Sequence, residues 1–486
     1  MGRSPSNTAT IRHEQGGFPA SASGIAPLLG RVIFTALLSI IVLTAIPYGT
    51  VERWWVALFE CAVLALTILW LIEGALGGGW LVRSHILLLP LLILIFFCSA
   101  QTIPSATSDV AGLRVSQTIS ADPYQTRLVA LELLALTLAA AMLLRYTSSP
   151  RRMRALVYTI IGVGLISALF GLVRQTTQQD TPDFILPYLR RELGYGQFIN
   201  KNHFAFLMEM TLGLSIGIAV GGIERSQILI YLALALPVWT ALVLANSRGG
   251  LFSMLAQVLF LGFLFVSLRP ARDRSVRGET HGARLMRGLR HSILFKTALL
   301  IALTVIVLVG AIWMGGEPLV NRLETVSNEV GSANVKDGEG ASRIAIWRAT
   351  WRMFKAHPIA GVGFGGYRTA IPQYHNASGQ ITPREAHNDY LELLASGGII
   401  GAGLLILFLA VFIMRVRERL RRASGFSRAA IIGALAGLFG VAVHSFVDFG
   451  LHITINALVF MALLVVACGT PPDEGTHTEA ALNARY

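Results

Sequence analysis

The sequence predicts an all-α polytopic membrane protein. Three observations carry that expectation. Of 486 residues, 54% are hydrophobic and only 14% charged, against about 25% charged in an ordinary soluble domain. Mean hydropathy is +0.61. Twelve apolar runs lie near 31–48, 54–73, 86–103, 127–146, 155–173, 203–222, 228–245, 250–268, 293–314, 396–414, 429–447 and 452–468. Each approaches the roughly 17–25 residues that a helix needs to cross hydrocarbon. No internal repeat of fixed period is visible.

Residues 1–30 are rich in Ser, Gly and Ala and are expected to form a disordered cytoplasmic tail. No cleavable leader is expected, so the first apolar run serves as its own insertion signal. Residues 31–314 carry the first nine expected spans, 315–395 form the longest non-membrane segment, 396–468 carry three more spans, and 469–486 form a second tail. Orientation follows from arginine in the loops. One set holds Arg145, Arg151, Arg152 and Arg154; the next Arg269, Arg272, Arg274, Arg277, Arg284, Arg287 and Arg290; the last Arg415, Arg417, Arg419, Arg421, Arg422 and Arg428. All fall on one side if both termini are cytoplasmic, so 104–126, 174–202 and 315–395 face outward. The net charge of +13 sits in these short runs rather than on one face. That pattern fits topology and anionic headgroups better than nucleic acid. Cys61, Cys98 and Cys468 each lie in an apolar run and read as small buried hydrophobes. Three cysteines are too few for a disulfide framework or a metal cage.

The outer segment has structure of its own. "ASRIAIWRATWRMFKAHP" places Ile344, Trp347, Trp351 and Phe354 at helical spacing, with Arg343 and Arg348 on the flanks and Pro358 ending the helix. "GVGFGGY" follows a helix and a proline rather than a strand, so it reads as a turn rather than a phosphate loop. "HNDYLELLASG" reads as a second helix, with His387, Leu391 and Leu394 on one face. These short helices are expected to lie against the outer membrane face.

A charge at the centre of a spanning helix costs about 2.5–3.5 kcal/mol, so its position is informative. Glu60, Glu132, Glu209, Arg248, His444 and Asp448 all fall in the outer half under this topology. The inner halves are almost purely apolar. A transporter needs polar groups or helix breaks at the midplane; this pattern fits a cavity open outward and sideways to lipid.

No Asp-x-Asp pair, His-Glu-x-x-His, Cys-x-x-Cys or Walker loop occurs. Any phosphate would therefore be handled by arginine. Arg248, in "LANSRGGLF", either snorkels to the interface or joins Asn246 and Ser247 in an anion site at a helix N-terminus. Arg343 and Arg348 are either solvated charges or planar forks suited to diphosphate oxygens. "GQFINKNHFAFLMEM" sets Asn200, Lys201, Asn202 and His203 at a helix mouth, as a cap or as sugar and phosphate contacts, with Arg190 and Arg191 adding charge nearby. His387 is the leading candidate. A lone histidine is usually structural, but this one leads a helix between Glu385 and Asn388. An imidazole can take a hydroxyl proton near neutral pH. "HSFVDFGLHI" supplies His444, Asp448 and His452 as a second polar pocket for acceptor contact.

Five stretches taken together resemble the O-antigen ligase and O-antigen/exopolysaccharide polymerase superfamily. They are "NKNHFAF", "NSRGG", "SRIAIWRATWRMFKAHPIAGVGFGGY", "AHNDYLELLASGGIIG" and "HSFVDFGLHI", in that order across roughly residues 195–460. The resemblance implies a GT-C-like membrane glycosyltransferase of the bacterial inner membrane with a periplasmic site. It implies a glycan donor on undecaprenyl diphosphate, passed to lipid A–core by ligases or to another lipid-linked repeat by polymerases, with inversion and without a metal or other cofactor. By motif, Arg248 and Arg343 match the diphosphate-binding arginines, with Arg348 beside them, and His387 the essential histidine. Asn200 and Asn202 match motif positions, and Asn388, His444 and Asp448 are expected substrate or acceptor contacts. One departure is "SGGIIG", where many relatives carry an acidic and then an apolar residue at Ser396 and Gly397. The rival expectation is a lipid-linked glycan flippase or another polysaccharide transporter.

Overall fold

The computed structural model describes residues 24–77, 79, 82, 85–110, 113–177, 194–221, 225–268, 305, 343–375 and 383–469. The helices are α1 (Ile25–Ala45), α2 (Arg53–Gly77), α3 (Leu89–Ala100), α4 (Pro123–Tyr146), α5 (Pro150–Thr177), α6 (Lys201–Val220) and α7 (Arg225–Leu244). They continue with α8 (Arg248–Leu268), α9 (Arg343–Ala356), α10 (Tyr367–Ala370), α11 (Asp389–Arg422), α12 (Gly425–His444) and α13 (Thr454–Cys468). One antiparallel hairpin pairs Ala106–Val110 with Leu113–Gln117. Among the described residues nine helices are long and apolar enough to cross a membrane, and His85–Ala100 and Thr454–Cys468 are shorter apolar helices. The chain is an all-α, multi-pass membrane protein. The expected span 293–314 lies outside the described residues apart from residue 305, as do Arg190, Arg191 and the arginines of 269–290. A count of twelve therefore remains an expectation.

Local chemistry sets several helix starts. The Asp122 carboxylate accepts from Gln125 N at 3.0 Å, with Pro123 at the first helical position of α4. The Asn200 side chain accepts from Asn202 N at 2.8 Å and opens α6. Both satisfy amides that an α-helix leaves unpaired at its N-terminus. The next element departs from the sequence reading. α11 begins at Asp389 and holds both the expected second helix and the span expected from 396, on either side of a break, but His387 lies outside it. The Asn388 side chain accepts from Tyr390 N at 3.1 Å and Leu391 N at 3.0 Å, which ends the helix one residue after His387 rather than carrying it through.

α11 is broken at Gly398, where φ is 61° and ψ −156°. The turn after α9 plugs the break: Ile399 N donates to Pro358 O at 2.8 Å and Ile400 N to Ile359 O at 3.2 Å. A Cβ at residue 398 would collide with the Ile359 carbonyl, so glycine is required both by dihedral and by space. The "GVGFGGY" stretch is indeed a turn. Its amides are committed within the protein, with Val362 N donating to Ala395 O at 2.9 Å and Gly363 N to Ser396 O at 3.0 Å. α9 also differs in detail. Its buried stripe is Ile346, Ala349, Thr350 and Met353, packed with Val362, Tyr367 and Ile371. Of the Ile344–Trp347–Trp351–Phe354 stripe, Trp351 is 46% exposed and the other three are half-buried. Small residues let the inner stripe approach its neighbours closely, so the bulkier stripe is less buried.

The centre of the bundle is the α6–α12 pair. Glycines recur every fourth residue on α6 and its C-cap (Gly213, Gly217 and the cap Gly221) and face Gly437, Gly433 and Ala429 of the antiparallel α12. A Cβ at any of these three positions would run into α12 at its facing residue. Backbone-to-backbone packing of this kind replaces the hydrophobic drive that lipid does not provide. Gly217→Val is expected to separate these helices. Overpacking of this kind costs about 1–3 kcal/mol or more, readable as a lower thermal midpoint in detergent; an unchanged midpoint would mean the seam tolerates expansion.

α12 has 20 residues, or about 30 Å at about 1.5 Å per residue. It therefore links two distinct ends of the molecule. Two of the arginine-rich loops lie together at its N-terminal end. Arg145 pairs with Glu73 at 2.8 Å, Arg154 sits over the Phe426 ring at 5.3 Å, and Arg419 donates to Ser427 at 2.8 Å. The candidate site forms at the other end.

Candidate functional site

Four helix ends and α9 meet where α12 stops. The chain leaves α12 through a turn to Asp448, runs through Phe449 into a 3-10 turn at Gly450–His452, and enters α13. Asp448 is only 1% exposed. A bare buried carboxylate is costly, and this one is surrounded by donors. Asn202 Nδ2 donates to Oδ2 at 2.6 Å, and Phe449 N donates to Oδ1 at 3.0 Å. Arg343 reaches Oδ2 at 3.5 Å, and His387 Nδ1 lies 3.5 Å from Oδ1. Burial alone would raise the pKa of Asp448. The His387 imidazole, His203, the Arg343 guanidinium and His444 outweigh it and hold the carboxyl well below the ordinary range.

This carboxylate brings together His387, Arg343, Asn202 and, through the α6 cap, Asn200. Arg343 and His387 keep 31% and 32% of their side-chain surface open, so both face the internal anchor and the outside. His387 packs edge-on to Phe449 with centroids 4.9 Å apart. His203 meets the same ring at 4.8 Å and His452 at 5.7 Å. The backbone of His387 has φ 50°. That left-handed conformation costs about 1–3 kcal/mol in a residue with a side chain and persists only where neighbours enforce it.

The remaining expected residues are placed differently. Asn388 is buried, and its side-chain oxygen is spent on the α11 cap. His444 is buried inside the bundle, where Nδ1 lies 2.7 Å from Glu209 Oε1 and the ring stacks on Phe206 at 4.1 Å. Ser253 also donates to Glu209, at 2.8 Å, so this polar knot ties α6, α8 and α12. Arg248 opens α8 and is exposed. Its neighbour Gly249 packs against His444 and Val447, which brings α8's start up to the turn that ends in Asp448. Arg348 is exposed on α9 and is not among the groups that Asp448 gathers.

Sequence reading missed two supports of the His387 segment. Glu392 Oε2 accepts from Ala386 N at 2.7 Å, and Trp347 Nε1 donates to Ala386 O at 3.1 Å. An acid in the first turn of a helix, near an Asn cap, is a visible signal for a carboxylate folding back onto upstream amides. Nothing in the sequence marks the tryptophan's partner, which lies 39 positions away. Among the described residues no group of three or more His, Cys, Asp or Glu side chains is arranged to hold a metal ion.

Residues 232–406 match the family model described as Wzy_C, O-antigen ligase. That stretch is similar to the O-antigen ligase family. No curated protein matches the chain. The match agrees with the superfamily that the five sequence stretches resemble. The matched stretch runs from within α7 to the middle of α11 and includes Arg248, Arg343, Arg348, His387 and Asn388. Asn200, Asn202, His444 and Asp448 lie outside the matched residues. The half-buried imidazole of His387 and guanidinium of Arg343 thus come from the matched stretch, and the carboxylate holding them comes from the helices after it.

Proposed function

We propose that the protein is an inverting membrane glycosyltransferase of O-antigen ligase/polymerase type. It moves a glycan from undecaprenyl diphosphate to a hydroxyl acceptor, lipid A–core or a growing lipid-linked chain. The observation that carries this reading is the pairing of His387 and Arg343 on one buried carboxylate, Asp448, at the end of the bundle remote from the arginine-rich loops. With those loops on the cytoplasmic side, the site faces the periplasm.

In this scheme the prenyl tail lies among the apolar helices and the diphosphate sits near Arg343, with Arg248 approaching from the start of α8 and Arg348 from the outer face of α9. His387 Nδ1 faces Asp448, so an N–H there leaves Nε2 free to accept a proton. The acceptor oxygen attacks the anomeric carbon and gives its proton to Nε2. The bond from that carbon to the diphosphate breaks, the diphosphate keeps the electron pair, and the configuration inverts. Fixed guanidinium groups stabilise the charge that develops on the leaving group.

Transfer in liposomes from a defined lipid-diphosphate donor, offered two acceptors, tests the reading. Capped lipid A–core identifies a ligase and lengthened carrier-linked chains a polymerase. Transport of donor across the bilayer without any new glycosidic bond would support the flippase instead. Activity is expected to be unchanged by EDTA; strict dependence on added Mg²⁺ would remove the metal-free scheme.

A further inference from the structure

We infer that Glu392 and Trp347 are positioning residues that set the backbone of His387. The inference rests on the reading of His387 as the general base. The residue before it, Ala386, is fully buried and gripped at both polar atoms. Its N–H donates to Glu392 Oε2 at 2.7 Å, and its carbonyl accepts from Trp347 Nε1 at 3.1 Å. The residues after His387 are fixed as well. Asn388 caps α11, Asp389 N donates to Ser445 O at 2.9 Å, and Ser445 Oγ donates to Asp389 Oδ2 at 2.7 Å. His387 therefore hangs between two clamped neighbours with φ 50°.

A side-chain-bearing residue leaves that region when its surroundings allow. Release of the Ala386 grip lets the peptide before His387 rotate toward ordinary φ, which swings the imidazole off Asp448. The grip also links three elements: α9 supplies Trp347, α11 supplies Glu392, and the His387 segment lies between them. Glu392 is held in turn, with Oε1 3.8 Å from His452 Nε2. Neither Glu392 nor Trp347 is assigned any contact with substrate. Their effect passes through the base.

The experiment uses the full-length protein in liposomes with a lipid-diphosphate-linked glycan donor and an acceptor, reading kcat, donor KM and thermal midpoint. Glu392→Ala and Trp347→Phe are each expected to lower kcat about 10–100-fold, the scale expected when a reacting group is misplaced by about an ångström, with KM unchanged. Glu392→Gln, whose carboxamide oxygen still accepts from Ala386 N–H, is expected to restore kcat to within about threefold. A rise in KM at constant kcat overturns the inference, because it would make these residues donor contacts. So does Glu392→Gln being as impaired as Glu392→Ala, or a kcat loss that merely tracks a lower thermal midpoint. Full activity of Glu392→Ala beside a dead His387→Ala overturns this inference alone. Full activity of His387→Ala overturns the base reading beneath it.

Discussion

His387→Ala is expected to lower glycan transfer by about 10²–10⁴, the usual contribution of a positioned general base, without loss of insertion or donor binding. The expectation has three parts on the structure. The imidazole is one-third open, so a hydroxyl can reach it. One ring nitrogen faces a buried carboxylate at 3.5 Å, which directs the other away from the protein. The side chain packs on Phe449 and faces Asp448 beyond the end of α12, outside the contacts between spanning helices, so its removal is expected to leave the helix packing intact. Steady-state kinetics in liposomes, with donor binding measured separately, separates these effects. Retention of near-wild-type turnover would show that the reaction needs no proton acceptor at this position.

Asp448→Asn is expected to have a double effect. The substitution keeps the shape but removes the charge that holds Arg343 and His387, so transfer falls together with stability. Losing a charged acceptor from a buried network costs about 1.5–3 kcal/mol. The pH dependence fixes the sign. The Asp448 carboxyl is held below its ordinary value, which is about 3.9 for an unperturbed aspartate. Its contribution is therefore complete above that ordinary value and is lost only as pH falls through the lower folded one. The stability gap between wild type and Asp448→Asn in detergent is expected to be as large at pH 5 as at pH 7. A gap that has closed by pH 5 would show that the carboxyl is not held ionised by its neighbours.

Much of the framework was legible in the sequence because bilayers impose a strong and simple pattern. Long apolar runs predicted α1, α2, α4–α8 and α12 closely, and even the short apolar α3 and α13. The short outer helix at Arg343–Ala356 was readable from its spacing and from Pro358. What failed was finer. The spacing of Ile344, Trp347, Trp351 and Phe354 marked a helix but not which of its faces is buried. Here lipid competes with protein for bulky residues, and the close contacts went to Ala349 and Met353. The two helices read on either side of Ser396, Gly397 and Gly398 are both present in α11, but that they meet at a break filled by another segment was not legible. The glycine seam between α6 and α12 was present as fourfold spacing on both helices, but its antiparallel register needs three dimensions.

For the site, the chemistry-bearing residue types were visible and their roles in space were not. His387, Arg343, Asn202 and Asp448 lie up to 246 positions apart, and only folding shows that they share one carboxylate. His444 and Asn388 carry the same functional groups as the converging residues. Their side chains are engaged by Glu209 and by the α11 amides respectively, and no local pattern distinguishes those fates.

The glycine seam bears on which side of the candidate site can yield. Asn202 stands at the top of α6 and Asp448 just beyond the top of α12, and those two rods touch backbone to backbone from Gly213–Gly437 down to Gly221–Ala429. Close backbone contact leaves that flank of the site little slack. If the proposed reaction is correct, room for a wide polymer is expected on the side where α9 and the interrupted α11 lean on one another through a plugged joint at Gly398.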